Sequence, residues 1–196
     1  MEIHLGKGLA AMALTVACAV AQADPLTFSA TLSGAAEVPP NASTGSGNVT
    51  LLFDVDNHYF SIAASFLGLQ GGSAAAHIHC CTALPGDGNA GVATMLPTFT
   101  GFPTGVTTGS YAAIFDTSQA SFWNPAFVTN HGGTTAGAEA ALLAALGDGS
   151  SYFNIHSDAY PGGEIRGFLA APIPEPAQAL LLLAGLPLLF LRRRES

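Results

Sequence analysis

Metal-binding side-chain types recur at alternate positions in Ala76-His77-Ile78-His79-Cys80-Cys81. Successive side chains on an extended strand point to opposite faces, so His77, His79 and Cys81 share one face and Ile78 and Cys80 the other. Neighbours on such a face stand about 6.6 Å apart along the chain, close enough for two imidazoles to reach one first-row metal ion. A third ligand must come from another strand, and His156, in Phe153-Asn154-Ile155-His156, is the candidate. Two or three imidazoles with an optional thiolate suit copper or zinc better than calcium or magnesium; copper is the preferred ion and zinc the alternative. The competing arrangement has the same histidines held by hydrogen bonds to neighbouring strands, with no ion.

Adjacent cysteines are a separate signal. In an oxidising compartment Cys80 and Cys81 can join each other, but the resulting eight-membered ring is strained and their opposed directions on a regular strand work against closure. The alternatives are one thiolate on a metal beside a buried thiol, or two free thiols. The remaining cysteine, Cys18, lies in the N-terminal segment, so long-range disulfide bracing of a domain between the ends is not expected.

Tyr160-Pro161-Gly162-Gly163 reads as a tight turn, with proline presetting one central position and glycine admitting positive φ at the next. Glu164 and Arg166 then project from one face of the following strand, and Arg166 is expected to satisfy carboxylates or carbonyls locally rather than to bind a substrate. His131 is expected in a solvated loop and His58 at a hairpin tip. Phe122, Trp123 and Phe127, with Asn124-Pro125, could form a carbohydrate-stacking platform or plug the end of a sheet. Neither a nucleophile elbow nor an oriented Cys-His pair is present, so no residue is assigned a catalytic role.

The elements that must position these residues are short and β-rich. Runs at Leu26–Leu32, Gly47–Val55, Tyr59–Leu67, Ala74–Cys81, Ser110–Phe115, Ser151–His156 and Glu164–Ala170 are separated by Gly, Pro, Asn and Asp. Alternation is clear where Val49, Leu51 and Phe53 share a face, and where Phe60, Ile62 and Ala64 oppose Tyr59, Ser61, Ala63 and Ser65. Thr135 to Leu146 instead has Leu142, Leu143 and Leu146 at helical spacing and stops at Gly147, a short covering helix. The segment from Leu84 to Gly109 is dense in Gly, Pro and Thr, which implies long loops with one strand near Val92 to Leu96. The expected fold is all-β, an antiparallel β-sandwich carrying that one helix.

Charge narrows the partners. The 196 residues are 49% hydrophobic and only 9% charged, and Arg166 is the sole Lys or Arg between Asp24 and Pro172, against ten acids. A phosphate-tracking surface needs clustered basic residues, so nucleic-acid binding is excluded. Much of the apolar excess lies at the two ends, which divide the chain into residues 1–23, a domain over 24–172 and residues 173–196.

Lys7, an apolar run from Leu9 to Val20 and the small-residue pattern Ala21-Gln22-Ala23 read as a cleaved secretory signal carrying its own short helix. At the other end Pro174-Glu175-Pro176 precedes an apolar run from Ala177 to Leu191 and then Arg192-Arg193-Arg194. As a helix that run spans about 22 Å, short of the roughly 30 Å hydrocarbon core, with the arginines on the cytoplasmic side. The order of motif, apolar run and basic tail resembles the PEP-CTERM sorting signal of Gram-negative bacteria. That resemblance implies membrane attachment before processing, an exosortase-type processing enzyme as partner, and delivery to the outer envelope, cell surface or extracellular matrix. A plain C-terminal membrane anchor is the competing reading of the same tail.

Within the domain, Leu32-Ser33-Gly34-Ala35-Ala36-Glu37-Val38-Pro39-Pro40, then Ala76-His77-Ile78-His79, then Asn154-Ile155-His156-Ser157 with Pro161-Gly162-Gly163-Glu164-Ile165-Arg166-Gly167, resemble the three signatures of the CHRD domain first named in chordin. The match runs over nearly all of residues 26 to 170; Cys80-Cys81 departs from it, where many members continue into a Gly and Pro turn. The family resemblance implies an extracellular β domain with a structural or binding role toward an exopolysaccharide or matrix protein. The His-x-His strand and the later Gly-Gly-x-x-x-Gly strand are also similar to copper-zinc superoxide dismutase. This second likeness implies a similar sandwich and, as the competing function, a copper redox enzyme using the same histidines.

Overall fold

In a computed structural model that describes residues 25–172, eight strands form one antiparallel sheet in the order β5-β4-β7-β8-β1-β2-β3-β6. The strands are β1 (Leu26–Ser33), β2 (Ser46–Asp54), β3 (Tyr59–Leu67), β4 (Ser73–Cys80), β5 (Gly91–Val92), β6 (Gly109–Asp116), β7 (Ser151–Ser157) and β8 (Ile165–Phe168). The helices are α1 (Pro125–Asn130) and α2 (Thr135–Asp148). The expected secretory and sorting segments lie outside the described residues.

Polar-apolar alternation explains half of the sheet. Val49, Leu51 and Phe53 of β2 pair with Ala64, Ile62 and Phe60 of β3, and all six are buried on one face, while Thr50, Leu52, Ala63 and Ser65 point outward. At the β1–β8 seam only Ser33 faces Arg166 in register, supplemented by a bridge between Ser29 and Ala170. The sheet curls on itself, and the core fills its concave side. Phe99, supplied by the loop after β5, packs on Phe153 of β7 and on Tyr111 and Phe115 of β6. The expected all-β antiparallel fold is therefore present, with the two layers of the sandwich belonging to one continuous ladder.

Strands β4, β7 and β8 do not follow the simple pattern, because both of their faces are covered. Ala76, Ile78, Phe153, Ile155 and Ile165 face the core, yet His77, His79, Tyr152, Asn154 and Arg166 on the other face are buried too. Their cover comes from three places: the segment after β1 at Ala36 and Glu37, the long stretch after β4 at Asn89, Ala90 and Pro97, and the turn before β8 at Pro161 and Gly163. Ala93 N–H donates to the Ile78 carbonyl, and the hydroxyls of Thr94 and Thr98 accept from the amides of Ile78 and Ala76. Threonines thus finish an edge that the two-residue β5 is too short to pair.

Two helix boundaries differ from expectation. α2 runs past Gly147 to Asp148 and stops at Gly149, whose φ of 77° supplies the left-handed cap that a side-chain-bearing residue adopts at a cost. α1 is a second helix beyond the one expected, and Asn124-Pro125 starts it: the Asn124 side chain accepts from Ala126 N–H, and proline occupies the first turn. The three aromatics that could have formed a sugar platform are interior plugs: Phe122, Trp123 and Phe127 are all buried, with Trp123 stacked on Phe127 and meeting Phe122 edge to face. Trp123 donates its indole N–H to the Thr117 carbonyl.

Candidate metal centre

Three rings converge on the covered face of β4 and β7. His77 sits opposite Asn154, His79 opposite Tyr152, and His156 opposite Ala75. Because Ala75 is small, the His156 ring can lean diagonally toward His77, a spacing that long cross-strand side chains bridge. Ring centroids lie 5.3 Å apart for His77 and His156, 5.9 Å for His79 and His156, and 6.0 Å for His77 and His79. One ligand nitrogen from each ring lies within 4.8 Å of the other two.

The far nitrogen of every ring is already committed. His77 Nε2 donates to the Pro97 carbonyl at 2.7 Å, His79 Nδ1 to Ala90 at 2.9 Å, and His156 Nδ1 to Pro161 at 2.9 Å. A carbonyl can only accept, so these nitrogens carry the protons, and the neutral rings present lone pairs at His77 Nδ1, His79 Nε2 and His156 Nε2. Those three atoms are buried and have no hydrogen-bond partner. Backbone carbonyls that fix the tautomer from behind are the outer shell that metal-bound imidazoles ordinarily have. Burial pushes His77 and His79 down to about 4 and lowers His156 as well, so all three are neutral at pH 7. Three buried, unpaired lone pairs on converging rings are complementary to an electrophile, and the donor set fits a first-row metal ion.

The fourth expected ligand is corrected. β4 ends at Cys80, and Cys81 takes φ 79°, which breaks the alternation that would have put it beside the histidines. Cys80 points into the core and is joined to Cys81 by a disulfide, so neither sulfur is a thiolate. The left-handed backbone at Cys81 is what permits two neighbours to meet despite the opposed directions of a regular strand. His131 is elsewhere, donating to the Phe127 carbonyl, and the hairpin residue His58 is bonded to Glu139 of α2. Glu139, nearly fully buried and also bonded to Thr117, went unnoticed in the sequence because nothing local marks it as more than a helix-surface acid.

A charged layer backs the histidines. Arg166 is wholly buried; its Nε donates to the Ala36 carbonyl at 2.6 Å and Nη1 to Asn89 Oδ1 at 2.8 Å. Its guanidinium lies 4.4 Å from the centre of the Tyr152 ring, and Tyr152 stacks on His79 at 4.7 Å with 5° between planes. The carboxylate beside Arg166 is Glu37, 3.7 Å away, and not Glu164. Glu164 instead accepts from Ser43 Oγ and Gln70 N–H, both at 2.6 Å. Burial pushes Glu37 up to about 7, against the opposing pull of Arg166 and of the Asn154 amide.

Gly163 closes this layer. Its φ is 132°, and a Cβ there would stand 2.6 Å from Asn154 Nδ2 and 2.9 Å from Glu37 Oε1. Gly163→Ala is expected to lower stability by about 2–4 kcal/mol through backbone strain and overpacking, measured by denaturant unfolding; a loss below about 1 kcal/mol would contradict it.

The CHRD family model matches residues 28–169, well over half of the chain. The chain belongs to the CHRD-domain family. Within this CHRD domain the matched span carries all three converging histidines together with Glu37 and Arg166. No curated protein and no solved structure matches the chain significantly.

Proposed function

We propose that this CHRD domain is a structural or binding module that holds one copper ion through His77, His79 and His156, and that it works outside the cytoplasm. The observation that supports the metal is the set of three buried, unpartnered imidazole nitrogens whose opposite nitrogens are all occupied. Bound there, copper would crosslink β4 to β7 and so brace the covered face; zinc is the alternative occupant. Purified protein loaded with copper should retain about one equivalent by elemental analysis and gain thermal stability, and His79→Ala should lose both. If the protein retains no metal, and His77→Ala and His156→Ala lower the melting temperature equally with and without copper, the histidines are structural. Superoxide turnover that disappears in His79→Ala would instead favour the redox enzyme.

Export is supported by the sequence of the two ends, with the basic tail completing a PEP-CTERM-like signal for an exosortase-type enzyme. The destination we propose is the outer envelope or extracellular matrix, with an exopolysaccharide or a matrix protein as the bound partner. Deleting Arg192 to Arg194 should leave the protein unprocessed or mis-sorted in cell fractionation. Unchanged surface delivery would overturn the sorting assignment.

A further inference from the structure

We propose that the site selects a monovalent ion, Cu(I), over divalent copper or zinc; this rests on the metal-holding reading above and concerns the charge of the ion. The donor set itself is the first reason. Three neutral imidazoles contribute no charge, and with Cys81 tied to Cys80 no thiolate joins them. An ion at this position therefore brings its full charge into the protein. The cost of removing an ion from water grows as the square of its charge, so a divalent ion without an anionic ligand is penalised far more than a monovalent one.

The second reason is the positive charge already present. Arg166 is fully buried one aromatic ring away, its guanidinium 4.4 Å from the Tyr152 ring that stacks on His79. Its repulsion acts twice as strongly on a divalent ion, and in a buried layer it is poorly screened. Glu37, the carboxylate at 3.7 Å from Arg166, offsets this only in part because burial opposes its ionisation. Coordination number supplies the third reason. Zinc takes a fourth ligand, a water where the protein gives three, and cupric copper a tetragonal set, whereas cuprous copper is satisfied by three donors alone. The structure offers three converging nitrogens, each closed off from solvent.

The test is a set of competition titrations on the purified protein, using a chromogenic Cu(I) chelator under ascorbate, which leaves the Cys80–Cys81 disulfide intact, and separate chelators for Cu(II) and Zn(II). Cu(I) should bind at least about 100-fold more tightly than either divalent ion, a gap of about 2.7 kcal/mol. His156→Asp, at a half-buried position, supplies an anionic donor and should shrink that ratio at least tenfold, and Arg166→Gln should shrink it in the same direction wherever it folds. Comparable affinity for Cu(I) and Zn(II), or a ratio indifferent to His156→Asp, would overturn the charge selectivity while leaving a metal site standing. Binding of none of the three ions would overturn the metal-holding reading itself.

Discussion

Replacing Arg166 by leucine will destabilise the domain by about 3–5 kcal/mol, enough to unfold much of a protein whose whole margin is roughly 5–15 kcal/mol. The side chain is fully buried, and its loss strands the Ala36 carbonyl, Asn89 Oδ1 and the Glu37 carboxylate while removing the cation from the Tyr152 face. The Ala36 carbonyl and Asn89 Oδ1 forfeit charge-assisted bonds, and Glu37, buried beside them, loses its neighbouring cation. Urea unfolding measures the loss, and the double variant Glu37→Gln with Arg166→Leu should be less destabilised than the sum of the single changes, because neutralising Glu37 removes the uncompensated acid. A loss under 1 kcal/mol, or strict additivity, would show that the buried pair does not hold this layer together.

The metal-free protein will be acid-labile, and its histidines are the cause. In the folded state His77 and His79 titrate near 4 rather than at the ordinary 6.5. Between those values the unfolded chain binds more protons, so the stability they contribute is complete above about 6.5 and is lost as pH falls toward 4. The displacement corresponds to about 3 kcal/mol for each ring. Glu37 acts with the opposite sign: raised to about 7, it favours the folded state as it protonates on the way down and offsets about one ring. The net expectation is a loss of about 3 kcal/mol between neutral pH and pH 4, followed by the fluorescence of the single Trp123. His77→Gln with His79→Gln should flatten this acid limb, and copper should shift it downward by occupying the lone pairs. An acid transition identical in the double variant would assign the lability to other groups.

How much of this was legible depends on how local each signal is. The strands are written in alternation, so β3 was read to the residue, and β1, β2, β4, β6 and β7 to within one position. β8 was read too long because Leu169 and Ala170 leave its ladder to pair with Ser151 and Ser29. The histidine pair was legible for the same reason: two residues apart on a strand means one face. Joining His156 to that pair depends on which strand lies beside β4, a long-range relation that the pairing of β4 with β7 supplies. Cys81 was misplaced because alternation holds only while the strand continues, and the left-handed turn at that residue ends it. Glu37 was missed as the partner of Arg166 because 129 positions separate them along the chain, while Glu164 stood close by in the sequence.

The amino-acid sequence by itself determined the all-β class, the family, the near absence of positive charge in the domain and the shared face of His77 and His79. All of these follow from residue type and short-range periodicity. Only the tertiary structure decided that Arg166 lies behind Tyr152 and His79, that backbone carbonyls from three separate loops hold the outward nitrogens, and that Cys81 leaves the cluster. Those are relations between segments far apart in the chain, set by how the sheet curls and how several loops lie across it, and no local rule encodes them.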